Sequence, residues 1–173
     1  MVIRQEQETE YQMIERVIIK AFENLERSDQ TEHKLVTKLR NTEGYIPELA
    51  LVATEDGEIV GHILLTKIQI NNGTHSVTSL ALAPVSVLPR EQNKGIGKKL
   101  VQKGLQHAKQ LGFPSVIVLG HPDYYVKFGF AKASSFDIHA PFEVPDEAFM
   151  ALELEKGALE KVSGIVDYPP AFS

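Results

Sequence analysis

Apolar positions along the chain change period several times, and each change marks an element. Val2 and Ile3 suit a short strand, after which Met13, Ile14, Val17, Ile18, Ala21 and Phe22 recur at the spacing of one helix face. The polar run from Glu23 to Thr31 predicts a loop, and Leu35, Val36 and Leu39 predict a second helix ending near Asn41. Three long β-branched runs follow, Leu49 to Thr54, Ile59 to Ile70 and Val77 to Leu88. Asp56-Gly57 and Asn72-Gly73 join them, dipeptides that favour tight hairpins, so a three-stranded antiparallel meander is expected. Ile96, Leu100, Val101, Leu105, Ala108 and Leu111 line one face of a helix that Gly112 terminates. Val116 to Leu119 is a continuous apolar run of the kind buried in a parallel strand, and strand, helix and strand make a βαβ unit with a right-handed crossover. Further strands are expected around Phe149 to Leu154 and Gly164 to Tyr168. The pattern predicts an α/β fold, with helices packed on a mixed sheet, in a single domain over residues 1–173.

Within the meander's last strand the apolar phase slips. Leu80 and Leu82 share one side, then Pro84 intervenes and Val85 and Val87 carry the apolar face onward, which is how a β-bulge looks in sequence. A bulge frees backbone N–H and C=O groups for a ligand. Immediately afterwards comes Gln92-Asn93-Lys94-Gly95-Ile96-Gly97-Lys98. Two glycines let the backbone turn tightly, and the helix start supplies unpaired N–H groups and a partial positive charge, an arrangement suited to an anion. Lys94, Lys98 and Lys99 add full charges that fit a diphosphate better than a lone carboxylate. Spacing rejects a Walker loop, which needs Gly at 92 and Ser or Thr at 99, and a dinucleotide fingerprint, which needs Gly or Ala at 100. Two glycines relieving an ordinary loop is the plainer alternative.

The Gln-x-x-Gly-x-Gly motif with its preceding strand resembles the GNAT superfamily of acetyl-CoA-dependent N-acetyltransferases. Val144 to Leu154 and Gly157 to Tyr168 look like the C-terminal strands of a bacterial subgroup of that family. The resemblance implies a mostly antiparallel sheet with helices on both faces and a splayed fourth and fifth strand, the pantetheine of acetyl-CoA lying in the gap like an added strand. It assigns acetyl-CoA, the cosubstrate, to Val85, Ser86, Val87, Gln92, Asn93, Lys94, Gly95, Ile96, Gly97 and Lys98. The expected partner is a small-molecule or peptide amine, and a homodimer is compatible with the family.

Downstream, Tyr125-Val-Lys-Phe-Gly129-Phe130 is similar to the Tyr-x-x-x-Gly-Phe of many GNAT enzymes. Coenzyme A leaves as a thiolate when an amine attacks the thioester. A phenol can hydrogen-bond to that thiolate or protonate it, which makes Tyr125 the general-acid candidate. The alternative is an aromatic cluster of Tyr124, Tyr125, Phe128 and Phe130 that only packs a short helix onto the sheet, a role that suits Tyr124 better. Gly129 is expected to end that helix in a left-handed conformation.

Composition narrows the chemistry. A formal net charge of −5 argues against general nucleic-acid binding, and the absence of cysteine excludes disulfides, thiolate metal sites and a cysteine nucleophile. Acetyl transfer would therefore proceed by direct attack of the amine. The six histidines show no metal-ligand repeat, so no metal is expected. The first ten residues are polar and charged and no membrane-length apolar run exists, which predicts a cytoplasmic protein without a membrane partner. One piece is missing. Some family members carry a glutamate base on the fourth strand, and by spacing that position falls near Ala81. Substitute candidates are Glu32, His33, His62, His75 and His121, or Ser79 or Ser86 acting through water, and the acidic loop of Glu23, Glu26, Asp29 and Glu32 could attract a cationic amine. The missing carboxylate keeps a non-catalytic CoA sensor or interaction module as the alternative function.

Overall fold

The computed structural model describes residues 1–172. Its strands join one sheet in the order β1, β2, β3, β4, β5, β8, β6, with β9 pairing β3 and β7 off this path. These are β1 (Val2–Gln5), β2 (Tyr45–Glu55), β3 (Glu58–Asn71), β4 (Ser76–Val87), β5 (Ser115–Leu119), β6 (Ala131–Lys132), β7 (Ile138–His139), β8 (Phe149–Glu153) and β9 (Gly164–Asp167). The helices are α1 (Tyr11–Phe22), α2 (Glu32–Arg40), α3 (Ile96–Gln110) and the single turn α4 (Pro122–Tyr125).

The expected meander is present, and β4 pairs β5 in parallel while β2, β3 and β4 are antiparallel. Asp56 and Gly57 both take positive φ, +51° and +81°, the geometry of the tight hairpin their sequence favours. The second hairpin is wider than its Asn-Gly suggested. Asn71 pairs Ser76, and the four residues between are held by the Asn72 side chain, which accepts from the N–H groups of Thr74 and His75. Strand β2 starts at Tyr45, before the apolar run at Leu49. Its ladder is irregular between Tyr45 and Ala50, where Pro47 lacks an N–H to donate. The two-residue strands β6 and β7 are too short to leave a periodic trace.

Helix α3 lies on one face of the sheet, so close that a Cβ on Gly104 would stand 2.9 Å from Leu65 Cδ1. That face presents Gly61, Ile63 and Leu65 of β3, in register with Val87, Val85 and Leu82 of β4. The register step from Ile63↔Val85 to Leu65↔Leu82 places one extra residue in β4 at Ala83-Pro84. This is the bulge expected from the phase slip. By alternation, His62, Leu64 and Thr66 face the other way, toward α1 and α2. Beyond Thr66 the same face is covered by residues of the C-terminal strands, where Ile68, Ile70, Ala81, Ile117, Phe149 and Val166 form a separate apolar cluster.

Candidate active site

Pairing between β4 and β5 stops after Leu80↔Val116 and Ala81↔Ile117. Past the bulge, Val85, Ser86 and Val87 remain paired to β3 alone, so their other edge opens on a gap toward Val118 and Leu119. Val85 and Val87 keep the α3 face and are half-buried, whereas the Ser86 side chain turns to the opposite face and is buried.

Below the gap the chain makes one 3-10 turn at Pro89–Glu91 and enters the glycine loop. Asn93 and Gly95 adopt left-handed backbone, φ +66° and +83°, with Lys94 between them. Alternation of this kind gathers successive N–H groups into a concave, anion-binding surface. No side chain caps α3, so its first-turn N–H groups have no side-chain partner. They border a pocket of about 400 Å³ lined by Val87, Glu91, Gln92, Asn93, Gly95, Ile96, Gly97, Lys98, Tyr124, Lys127 and Phe128. Two of the expected lysines contribute differently. Lys94 bonds Glu91 at 3.1 Å, and Lys99 faces the opposite side of α3 toward Met1 and Ile3. Lys127, from the second motif, joins Lys98 in their place.

The tyrosines also divide unexpectedly. The Tyr124 hydroxyl stands 3.2 Å from where a Cβ on Gly97 would be, so the residue expected to be packing lines the pocket. Tyr125 lies against the Gly120 backbone at the end of β5, so near that a Cβ there would meet Tyr125 Cε2 at 2.5 Å. Its ring meets Tyr124 and Phe130 edge-on, and Gly129 takes the expected left-handed φ of +99°. Burial, with a smaller contribution from Tyr124, pushes the Tyr125 phenol up to about 12.

Of the candidate bases, most are placed elsewhere. His75 is exposed in the β3–β4 turn, His121 is exposed before α4, and Ser79 is bonded to Ser115 at 2.7 Å. Glu32 accepts from Ser28 Oγ at 2.7 Å and Asp29 accepts from the Thr31 N–H at 3.0 Å, so half of the acidic loop is bound up in the loop's own geometry. Ala81 is buried between Thr66 and Ile117.

His62 belongs to a network that no local pattern announces. Its Nε2 lies 2.8 Å from Glu6 Oε1; Arg40 donates to both Glu6 oxygens at 2.9 Å and Tyr45 donates at 2.7 Å. Arg40 also lies over the Tyr11 ring, 3.8 Å from its centroid. Burial alone would raise the Glu6 carboxyl, but hydrogen bonds from His62, Arg40 and Tyr45 outweigh it and bring the group to about 2. Glu6 looks like any residue of a charged N-terminal segment, because its partners are 34, 39 and 56 residues away.

The parted parallel strands, the bulge and the uncapped helix below them define an acyl-CoA-type transferase fold. Residues 14–130 match the acetyltransferase (GNAT) family, and the chain belongs to that family. It is 37% identical over 117 residues to YjhQ of Escherichia coli K12, an uncharacterized N-acetyltransferase, a match spanning 67% of this chain and 65% of YjhQ. With YhbS of the same strain, also described as an uncharacterized N-acetyltransferase, identity is 29% over 174 residues, covering 100% of this chain and 99% of YhbS. The crystal structure of Escherichia coli YhbS in complex with CoA superposes with a TM-score of 0.88 at 28% identity, covering 99% of this chain and 91% of that one. A GNAT acetyltransferase from Brucella melitensis in complex with acetyl-CoA gives 0.82 at 31% identity, covering 99% and 97%. No helix among the described residues is long and apolar enough to cross a membrane.

Proposed function

We propose that this chain transfers the acetyl group of acetyl-CoA to a primary amine by direct attack, within a single domain spanning residues 1–173. The observation that carries the reading is the loss of β4/β5 pairing immediately above an uncapped helix start with left-handed turns at Asn93 and Gly95. The first-turn N–H groups of α3 and the loop at Gln92 to Lys98 hold the diphosphate, with Lys98 and Lys127 beside it. The free edge of Val85 to Val87 hydrogen-bonds the pantetheine amides. Complexes of similar enzymes with CoA and acetyl-CoA support the choice of cosubstrate. Tyr125 stands beside the gap to receive the departing sulfur.

The deciding experiment follows thiol release from acetyl-CoA against polyamines, amino acids, aminoglycosides and peptide N-termini. Acetylation of one class establishes the enzyme and names the acceptor. Tight CoA binding with no turnover on any of them would select the sensor instead, the reading that the alanine at position 81 favours.

Gly97→Val is expected to weaken CoA binding by about tenfold or more, since even a Cβ here meets Tyr124 and Val87, 3.2 and 3.7 Å away. Lys99→Ala should leave affinity nearly unchanged because Lys99 faces away from the pocket. Calorimetry with CoA compares the two. Equal affinity of Gly97→Val and the parent removes the loop from the binding site.

A further inference from the structure

Among the described residues, three buried side-chain polar atoms find no partner: His62 Nδ1, Thr66 Oγ1 and Ser86 Oγ. All three stand on the sheet face opposite α3. His62 and Ser86 are directly opposed in the β3/β4 register, and each is at most 1% exposed. A buried acceptor left bare costs about 1–3 kcal/mol, so two of them side by side call for an explanation.

The tautomer follows from the partners. Glu6 is ionised and accepts from every neighbour, so Nε2 of a neutral His62 carries the proton and Nδ1 presents a bare lone pair. Ser86, the register partner of His62, belongs to the β4 segment bordering the gap. The two side chains make no direct hydrogen bond to each other, and one bridging water would give each of them a partner. On the face opposite α3, Leu119, at the end of β5 beside the gap, is 46% exposed.

We propose that His62, oriented by Glu6, is the terminal proton acceptor for the incoming amine, reached from the gap through the Ser86 hydroxyl and one bridging water. The proposal rests on the acetyl-transfer reading and supplies the base that position 81 lacks. The ammonium form of the substrate gives one proton along Ser86 and water to His62 Nδ1. The amine nitrogen then forms its bond to the acetyl carbon while the carbon–sulfur bond breaks, and the second N–H proton passes to the departing sulfur. His62 returns its proton to solvent, so the balance is one ammonium and one thioester to one amide, one thiol and one proton. Glu6 and Arg40 position the ring; Tyr45 donates to Glu6, and Tyr11 backs Arg40 from α1. Burial lowers the His62 pKa below its ordinary 6.5 despite Glu6, so the ring is neutral at pH 7.

The test combines kinetics and spectroscopy on the full chain. His62→Gln keeps an N–H toward Glu6 but cannot titrate. It is expected to lower kcat by about 10²-fold with KM for acetyl-CoA and CoA affinity unchanged, and to abolish the acidic fall of kcat/KM expected of the wild type. Ser86→Ala, a smaller change, should lower kcat without moving KM. Nitrogen-15 NMR of the wild-type imidazoles should show one buried histidine protonated at Nε2 alone at neutral pH, whether or not an amine is present. A folded His62→Gln that keeps wild-type kcat and its acidic limb overturns the proposal alone, as does an Nδ1-protonated neutral tautomer. Absence of wild-type turnover with every amine overturns the acetyl-transfer reading, and the relay with it.

Discussion

Tyr125→Phe is expected to lower turnover of a good amine substrate by about 10²-fold or more while leaving acetyl-CoA affinity nearly unchanged. The substitution keeps the ring that meets Tyr124 and Phe130 and removes only the hydroxyl. With its pKa pushed up to about 12, the phenol holds its proton throughout the physiological range. Under the proposed mechanism it is always a donor to the developing thiolate, and a strong hydrogen bond serves better there than complete transfer, which would run uphill to a sulfur of lower pKa. No alkaline limb from Tyr125 should appear below about pH 10. Tyr124→Phe is the control, because the Tyr124 hydroxyl borders the Gly97 pocket and its loss should act on cofactor affinity first. A drop in CoA binding or in melting temperature on Tyr125→Phe would instead mark the aromatic cluster as packing. Unchanged single-turnover rates would remove Tyr125 from the mechanism, since that measurement is independent of product release.

Glu6→Ala is expected to destabilise the fold by about 3–5 kcal/mol, the usual consequence of stripping one partner from a buried charged network. The Glu6 side chain is 2% exposed and that of Arg40 is 9%, so the guanidinium would keep its burial and lose its counter-charge. The same network predicts how stability varies with pH. Glu6 falls from an ordinary 4.5 to about 2 on folding, so its contribution, about 3 kcal/mol, is complete above pH 4.5 and is lost as pH drops toward 2. His62 acts in the same direction at higher pH: its folded value is below 6.5, so the unfolded chain binds the proton first and stability declines as pH falls through 6.5. Urea titrations followed by far-ultraviolet circular dichroism should show the midpoint falling from pH 7 to pH 3. Glu6→Gln should flatten the part between pH 4.5 and 3, and an unaltered slope in that variant would sink the assignment.

The elements that could be read from the chain are those whose reasons are local. Period along α1 and α3, Asp56-Gly57 between β2 and β3, and the phase slip at Pro84 each depend on residues within a few positions of one another, and each appears where expected. The glycine loop was legible for the same reason, since left-handed backbone at Gly95 and a helix start at Ile96 follow from adjacent residues. The short strands β6 and β7 escaped because two residues carry no period, and the β3–β4 turn was wider than its Asn-Gly because the Asn72 side chain took over the backbone's bonding.

By itself, then, the sequence determined the order of elements, the bulge and the glycine turn at the start of α3, through torsional preference and side-chain periodicity. Tertiary structure alone decided which tyrosine borders the pocket, that Lys127 rather than Lys99 stands beside Lys98, and that Glu6, Arg40, Tyr45 and His62 meet. These outcomes hang on which faces of distant segments are brought together when β1, α2 and the meander pack. A carboxylate 56 residues from its imidazole has no local signature, because the low-dielectric contact that changes both groups exists only after the sheet has closed over them.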